Sequence, residues 1–184
     1  MKRAINLFTI LLTTGAVSLT AQAQTVKVGG QAMYPQKNIV ANAVNSEHHT
    51  TLVAAVKAAD LVETLQGAGP FTVFAPTNDA FENLPEGTVE TLLKPENKKK
   101  LQGVLTYHVV PGRMDARALE QAIKRGNGTA TLKTVAGGEL YAMMNGERNI
   151  VLKDGRGQVA NISTYDVVQS NGVIHVLDAV VLPN

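Results

Sequence analysis

An α+β fold is expected for this chain on three observations. Residues 38–125 carry apolar positions mainly at helical spacing, and residues 129–182 break into short β-rich runs between turn signals. Two further runs, residues 71–74 and 107–110, lie inside the helical half but suit strands. They must pair with the second half, so one sheet draws on both halves and a single domain is expected rather than two.

The elements follow in order. Residues 25–37 are weakly patterned and read as an extended arm (residues 24–37) that can pack through Met33 and Tyr34. The domain proper is expected over 38–184. Leu52, Val56 and Ala59 form one apolar face behind Thr50 or Thr51 as N-cap. Phe71, Thr72, Val73 and Phe74 are aromatic or β-branched, and Pro76, lacking an N–H, ends their ladder. Thr77 then caps a helix with Asp79 in its first turn, where negative charge meets free N–H groups. Phe81 and Leu84 share one face of it. Val89, Leu92 and Leu93 mark another helix, and Pro95 suits the opening of the next, where a missing N–H costs little. Leu101, Val104 and Leu105 are its buried stripe. Asp115 caps a further helix that turns Leu119, Ala122 and Ile123 inward and stops at Gly126. Strands are expected at 129–135, 139–144, 149–153, 158–163 and 173–182. Gly137-Gly138, Asn145-Gly146, Asp154-Gly155 and Asn171-Gly172 supply tight turns.

The first 23 residues read as a secretory signal peptide. Lys2 and Arg3 form a basic start, an apolar stretch follows, and Ala21-Gln22-Ala23 is a cleavage pattern that leaves Gln24 first. The apolar stretch is short of the ~20 residues a membrane span requires. Cleavage leaves 161 of the 184 residues, enough for one domain with a proper core. It also removes two of the 17 basic residues and none of the 15 acidic ones, so the mature charge balances. No broad positive field then remains to attract nucleic acid or anionic lipid. The expected location is secreted or periplasmic. Absence of cysteine excludes disulfides, thiol catalysis and cysteine-ligated zinc.

Candidate chemistry is sparse. His48-His49 is an adjacent pair, which points in two directions on a helix and cannot readily chelate one ion from one face. His108 and His175 lie in apolar phrases and read as buried imidazoles hydrogen-bonded to their surroundings. Ser46, Ser163 and Ser170 are not in a nucleophile elbow. Aromatic content is 4% without tryptophan, unlike the stacked subsites common in glycosidases. Lys98-Lys99-Lys100 reads as a solvated helix face. No cofactor or metal is expected, and no enzymatic activity.

Three phrases carry a family resemblance: GPFTVFAPTNDAFENL beginning at Gly69, the Tyr107-His108 of YHVVPG, and NGVIHVLDAVVLP beginning at Asn171. In this order they resemble the signature motifs of the fasciclin domain, and the likeness runs from about Asn38 to Pro183. The resemblance implies a wedge or sandwich of short strands packed with several helices. It also implies a non-catalytic role in adhesion to, or recognition of, a surface protein or polysaccharide. Tyr107 and His108 match a motif there tied to fold integrity and adhesion. Asp166 and Val167 align with an Asp-Ile pair to which integrin binding is attributed in some animal members, with Val in place of Ile and Thr164-Tyr165 in place of the flanking Glu-Pro. Asp166, Val167, Tyr107 and His108 are therefore the candidate partner-binding residues. Two other classes stay open: a periplasmic binder of a small ligand or metal using His48 or His49, and a hydrolase with an unrecognised site.

Overall fold

A computed structural model describes residues 25–184. The expected signal peptide, residues 1–23, lies outside the described residues. The described chain begins with a hairpin, β1 (Val26–Val28) against β2 (Gln31–Met33). Gly29 and Gly30 turn it at φ 58° and 75°, which glycine adopts without a Cβ clash. The stretch read as an arm is thus docked. Met33 is buried. The buried Asn42 holds the Tyr34 backbone from both sides, donating to its carbonyl at 2.8 Å and accepting from its N–H at 3.0 Å.

Six helices follow before the main block of strands: α1 (Ile39–Ala43), α2 (Thr50–Ala58), α3 (Val62–Gln66), α4 (Asn78–Glu82), α5 (Thr88–Leu93) and α6 (Lys98–Tyr107). A 3₁₀ turn at Glu47–His49 leads into α2, and another, Pro95–Asn97, leads into α6 with Pro at its first position. Thr77 caps α4 by accepting from the Ala80 N–H at 3.3 Å. Neither threonine caps α2. Asn78 does so from α4, accepting from the Thr51 N–H at 3.1 Å and donating to the Glu47 carbonyl at 2.8 Å. This cap is tertiary, so no local motif announces it. The lysine run opens α6 on the surface, where Lys98 pairs with Asp60. Such an exposed pair contributes ~0–1 kcal/mol.

The sheet has seven strands in the order β4-β3-β9-β8-β7-β6-β5. These are β3 (Phe71–Pro76), β4 (Val109–Pro111), β5 (Thr129–Lys133), β6 (Glu139–Asn145), β7 (Asn149–Lys153), β8 (Val159–Gln169) and β9 (Gly172–Leu177). Helix α7 (Ala116–Arg125) sits between β4 and β5 in sequence, capped by Asp115, which accepts from the Ala118 N–H at 2.7 Å. β3 and β9 pair parallel, and the other pairings are antiparallel. β4 is shorter than the expected run: Tyr107 ends α6, and His108 stays near helical geometry at φ −82°, ψ 0°. β8 is longer than expected, running on through bulges between Ile162 and Val167. It pairs with β7 at one end and β9 at the other, so its bends fold the sheet on itself. The Val135 N–H donates to the Val109 carbonyl at 2.8 Å and draws the two outer strands together.

Two cores result. Val73, Ala75, Ile174 and Val176 face the layer of α1–α6. Phe74 and Leu177, on the other face of the same strands, pack with α7 and the β5–β8 half. Burial on both faces explains the nearly unbroken apolar run of β9. Gly172 is fixed by close approach: a Cβ there would lie 2.1 Å from the Phe71 carbonyl oxygen.

Candidate functional site at the β8 bulge

The bulge of β8 meets the start of α7. Asp166 takes φ 56°, a left-handed conformation that costs most residues energy but is less unfavourable for aspartate. Its carboxylate accepts from the Ala116 N–H at 2.7 Å. Ala116 opens α7, so Asp166 satisfies one of the N–H groups that a helix leaves unpaired, and its charge favours that helix end. The Asp166 N–H in turn donates to His175 Nδ1 at 3.4 Å, and the opposite ring nitrogen contacts the Met114 carbonyl at 2.8 Å. The His175 ring stacks on Phe74 with centroids 5.6 Å apart. Burial lowers the His175 pKa, so the neutral ring donates to Met114 and accepts from Asp166.

The segment before α7 is fastened on other sides as well. Thr72 Oγ1 donates to the Gly112 carbonyl at 2.7 Å and accepts from the Met114 N–H at 2.9 Å. Arg113 donates to the Gln169 carbonyl at 2.9 Å. The outcome is a rigid corner that presents half-buried Asp166 beside exposed Arg113, Asp115 and Arg117.

The other candidate residues lie beneath surfaces. Val167 is 1% exposed and packs in the first core, immediately behind Asp166. Tyr107 is also buried. Its hydroxyl donates to the Glu139 carbonyl at 2.6 Å and receives the Gly155 N–H at 3.3 Å, tying α6 to two β turns. Burial raises its pKa. His108 is 3% exposed, with Nδ1 on the Val104 carbonyl at 2.8 Å and Nε2 accepting from the Val181 N–H at 3.2 Å. Asp166 and Val167 are adjacent, while Tyr107 and His108 occupy the end of α6. In these positions Val167, Tyr107 and His108 support the fold from within, and Asp166 is the candidate that reaches solvent. His48 is exposed and His49 buried, so the pair does not share a face. No group of three or more His, Asp or Glu side chains suited to a metal occurs among the described residues.

Two polar hubs escaped the sequence reading. Asn171 accepts from the Ile39 N–H at 3.0 Å and donates to the carbonyls of Leu65 and Gly67 at 2.8 and 3.0 Å. Asp154 accepts the N–H groups of Arg156, Gln158 and Leu182. Asn-Gly and Asp-Gly signalled the turns, but not the distant partners.

A Fasciclin domain profile matches residues 47–183. The chain belongs to the fasciclin domain family. Protein sll1483 of Synechocystis sp. is 50% identical over 147 residues, covering 79% of this chain and 73% of that protein. The cell surface glycolipoprotein MPB83 of Mycobacterium bovis is 30% identical over 178 residues, covering 94% and 72% respectively. Human periostin is 28% identical over 148 residues, which is 80% of this chain but 16% of periostin. A solved FAS1 domain pair from the insect cell adhesion molecule Fasciclin I aligns with a TM-score of 0.69 at 16% identity, over 79% of this chain and 51% of that one. This fasciclin domain therefore spans about half of that structure and shares its fold.

Proposed function

We propose that this fasciclin domain is an exported, non-catalytic recognition module for a surface protein or polysaccharide, with the β8–α7 corner as its contact face. The observation that carries the site is Asp166. It is held in left-handed backbone at a bulge, with both its amide and its carboxylate engaged and its side chain half-exposed. Such backbone outliers gather at binding sites, where the surrounding structure over-determines them. A surface role is supported by a relative named as a cell surface glycolipoprotein and by a fold neighbour named as a cell adhesion molecule.

Asp166→Asn separates contact from support. Asparagine tolerates φ > 0 and keeps a carbonyl acceptor for Ala116, so the melt should shift little, by less than ~1 kcal/mol. Loss of the charge should weaken capture of mature protein by envelope or host-surface extracts several-fold. Undiminished capture by the folded variant removes Asp166 from the contact face. With 15 basic and 15 acidic residues after signal removal, affinity should fall only modestly between low and physiological salt.

Export carries its own test. The intact mass of the exported protein should correspond to a chain beginning at Gln24. A retained Met1 in that fraction rejects the cleavage.

A further inference from the structure

Under α1, α2 and α3 lies a cavity of about 240 Å³. Val73, Ile174 and Val167 form its floor on the sheet, and Leu52 stands in its wall. Exposed Lys57 and Gln66 stand at its rim. The lining is mainly aliphatic, with Ser46, Phe74 and two histidines, His49 and His108, among it. Both ring nitrogens of His108 are hydrogen-bonded, so His49 is the informative one. His49 lines the cavity while only 4% exposed. Its Nδ1 is engaged with Ser46 Oγ at 2.8 Å; the ring also faces the Ala75 backbone, but its buried Nε2 makes no hydrogen bond of proper geometry among the described residues. Buried polar atoms are normally satisfied, so an unpartnered nitrogen in an apolar chamber marks a place where a ligand can supply the partner.

Size and hydrogen-bonding capacity narrow the ligand. A cavity of about 150 Å³ accommodates benzene, so 240 Å³ suits a hydrocarbon body of roughly eight to ten carbons. The polar group must answer either tautomer of His49. If Ser46 gives its proton to Nδ1, Nε2 is a donor. If Ser46 instead donates to the Val28 carbonyl, 3.4 Å away, Nδ1 carries the ring proton and Nε2 is an acceptor. A hydroxyl both donates and accepts, whereas an ether or ketone serves only one case. A carboxylate would bring an unpaired charge into an apolar wall. We infer that this cavity binds a small aliphatic alcohol whose hydroxyl pairs with His49 Nε2. This role does not rest on the surface reading: the cavity lies beneath the helices and meets the β8 corner through the Val167 side chain, whereas the Asp166 carboxylate is bonded to Ala116 at the start of α7.

The probe is octan-1-ol, titrated into mature protein by calorimetry and by ¹⁵N spectra of the histidine rings. Saturable one-site binding with a shift at His49 Nε2 is expected. His49→Leu should weaken octan-1-ol about tenfold yet retain toluene, which uses only the apolar walls. Val53→Phe, which fills part of the chamber, should weaken both. Absence of saturable octan-1-ol binding up to its solubility overturns the proposal. So does unchanged octan-1-ol affinity in folded His49→Leu, or in folded Val53→Phe. If either variant fails to fold, the wild-type spectrum decides: binding that leaves the His49 resonances unmoved places the alcohol elsewhere.

Discussion

Phe74→Ala is expected to remove about 3–5 kcal/mol of folding free energy. Phe74 is 0% exposed at the centre of β3. Its ring packs among Leu119, Leu177 and the stacked imidazole of His175, so truncation loses apolar burial and leaves a hole that β3 cannot close. The strand is held on both sides. Phe74 lies opposite His175 in the parallel register with β9, and its N–H donates to the His108 carbonyl at 2.9 Å. Relaxation into the gap is therefore restricted, which favours the upper part of the range. A domain is stable by only ~5–15 kcal/mol, so this one change consumes a large share. In urea the midpoint should fall sharply with the slope preserved. Phe71→Ala should cost less, because Phe71 is half-buried at the strand start. A Phe74→Ala melt that overlays the wild type contradicts this placement of the ring.

What could be read from the sequence was what local chemistry determines. Thr77 and Asp115 announce helices because a cap bonds within three residues of itself. Phe74 and Leu119 sit inside because strand and helix periods mark the buried face. The docked hairpin was less accessible, since Asn42 reaches Tyr34 across eight residues and looks like any polar helix residue. The second half of β8 was hidden for another reason. Its bulges break the two-residue period between Ile162 and Val167, so a continuous strand reads as a strand and a tail. Asp166 was singled out through resemblance to a family motif. Its bond to Ala116, fifty residues distant, is a product of the sheet's bend. The unpartnered Nε2 of His49 likewise exists only once α2 covers the sheet.

The protein should lose stability as pH falls from about 6.5 towards 4, with His108 the largest single contributor. Burial pushes its pKa from 6.5 down to about 4, despite the Val104 carbonyl, which favours the charged ring. Nδ1 donates to that carbonyl and Nε2 accepts from Val181, so the neutral ring is satisfied at both ends. A second ring proton would meet the Val181 N–H head-on. Above pH 6.5 the ring is neutral in folded and unfolded chains, and the full stability is present. Between 6.5 and about 4 the unfolded chain binds a proton that the native ring refuses, so stability falls with pH. The loss from His108 approaches roughly 3 kcal/mol and stops growing once the native ring itself titrates. Burial lowers His49 and His175 in the same direction, and their losses add within the window below 6.5. Urea midpoints should be level above pH 7 and decline towards pH 4.5. His108→Asn should be less stable at pH 7, by ~1–3 kcal/mol for the disturbed hydrogen bonds, yet show a shallower decline because its side chain does not titrate. A wild-type midpoint unchanged from pH 7 to 4.5, or a His108→Asn decline as steep as the wild type's, removes His108 as the cause. Under either result the buried neutral ring would no longer explain why the end of α6 is built around histidine.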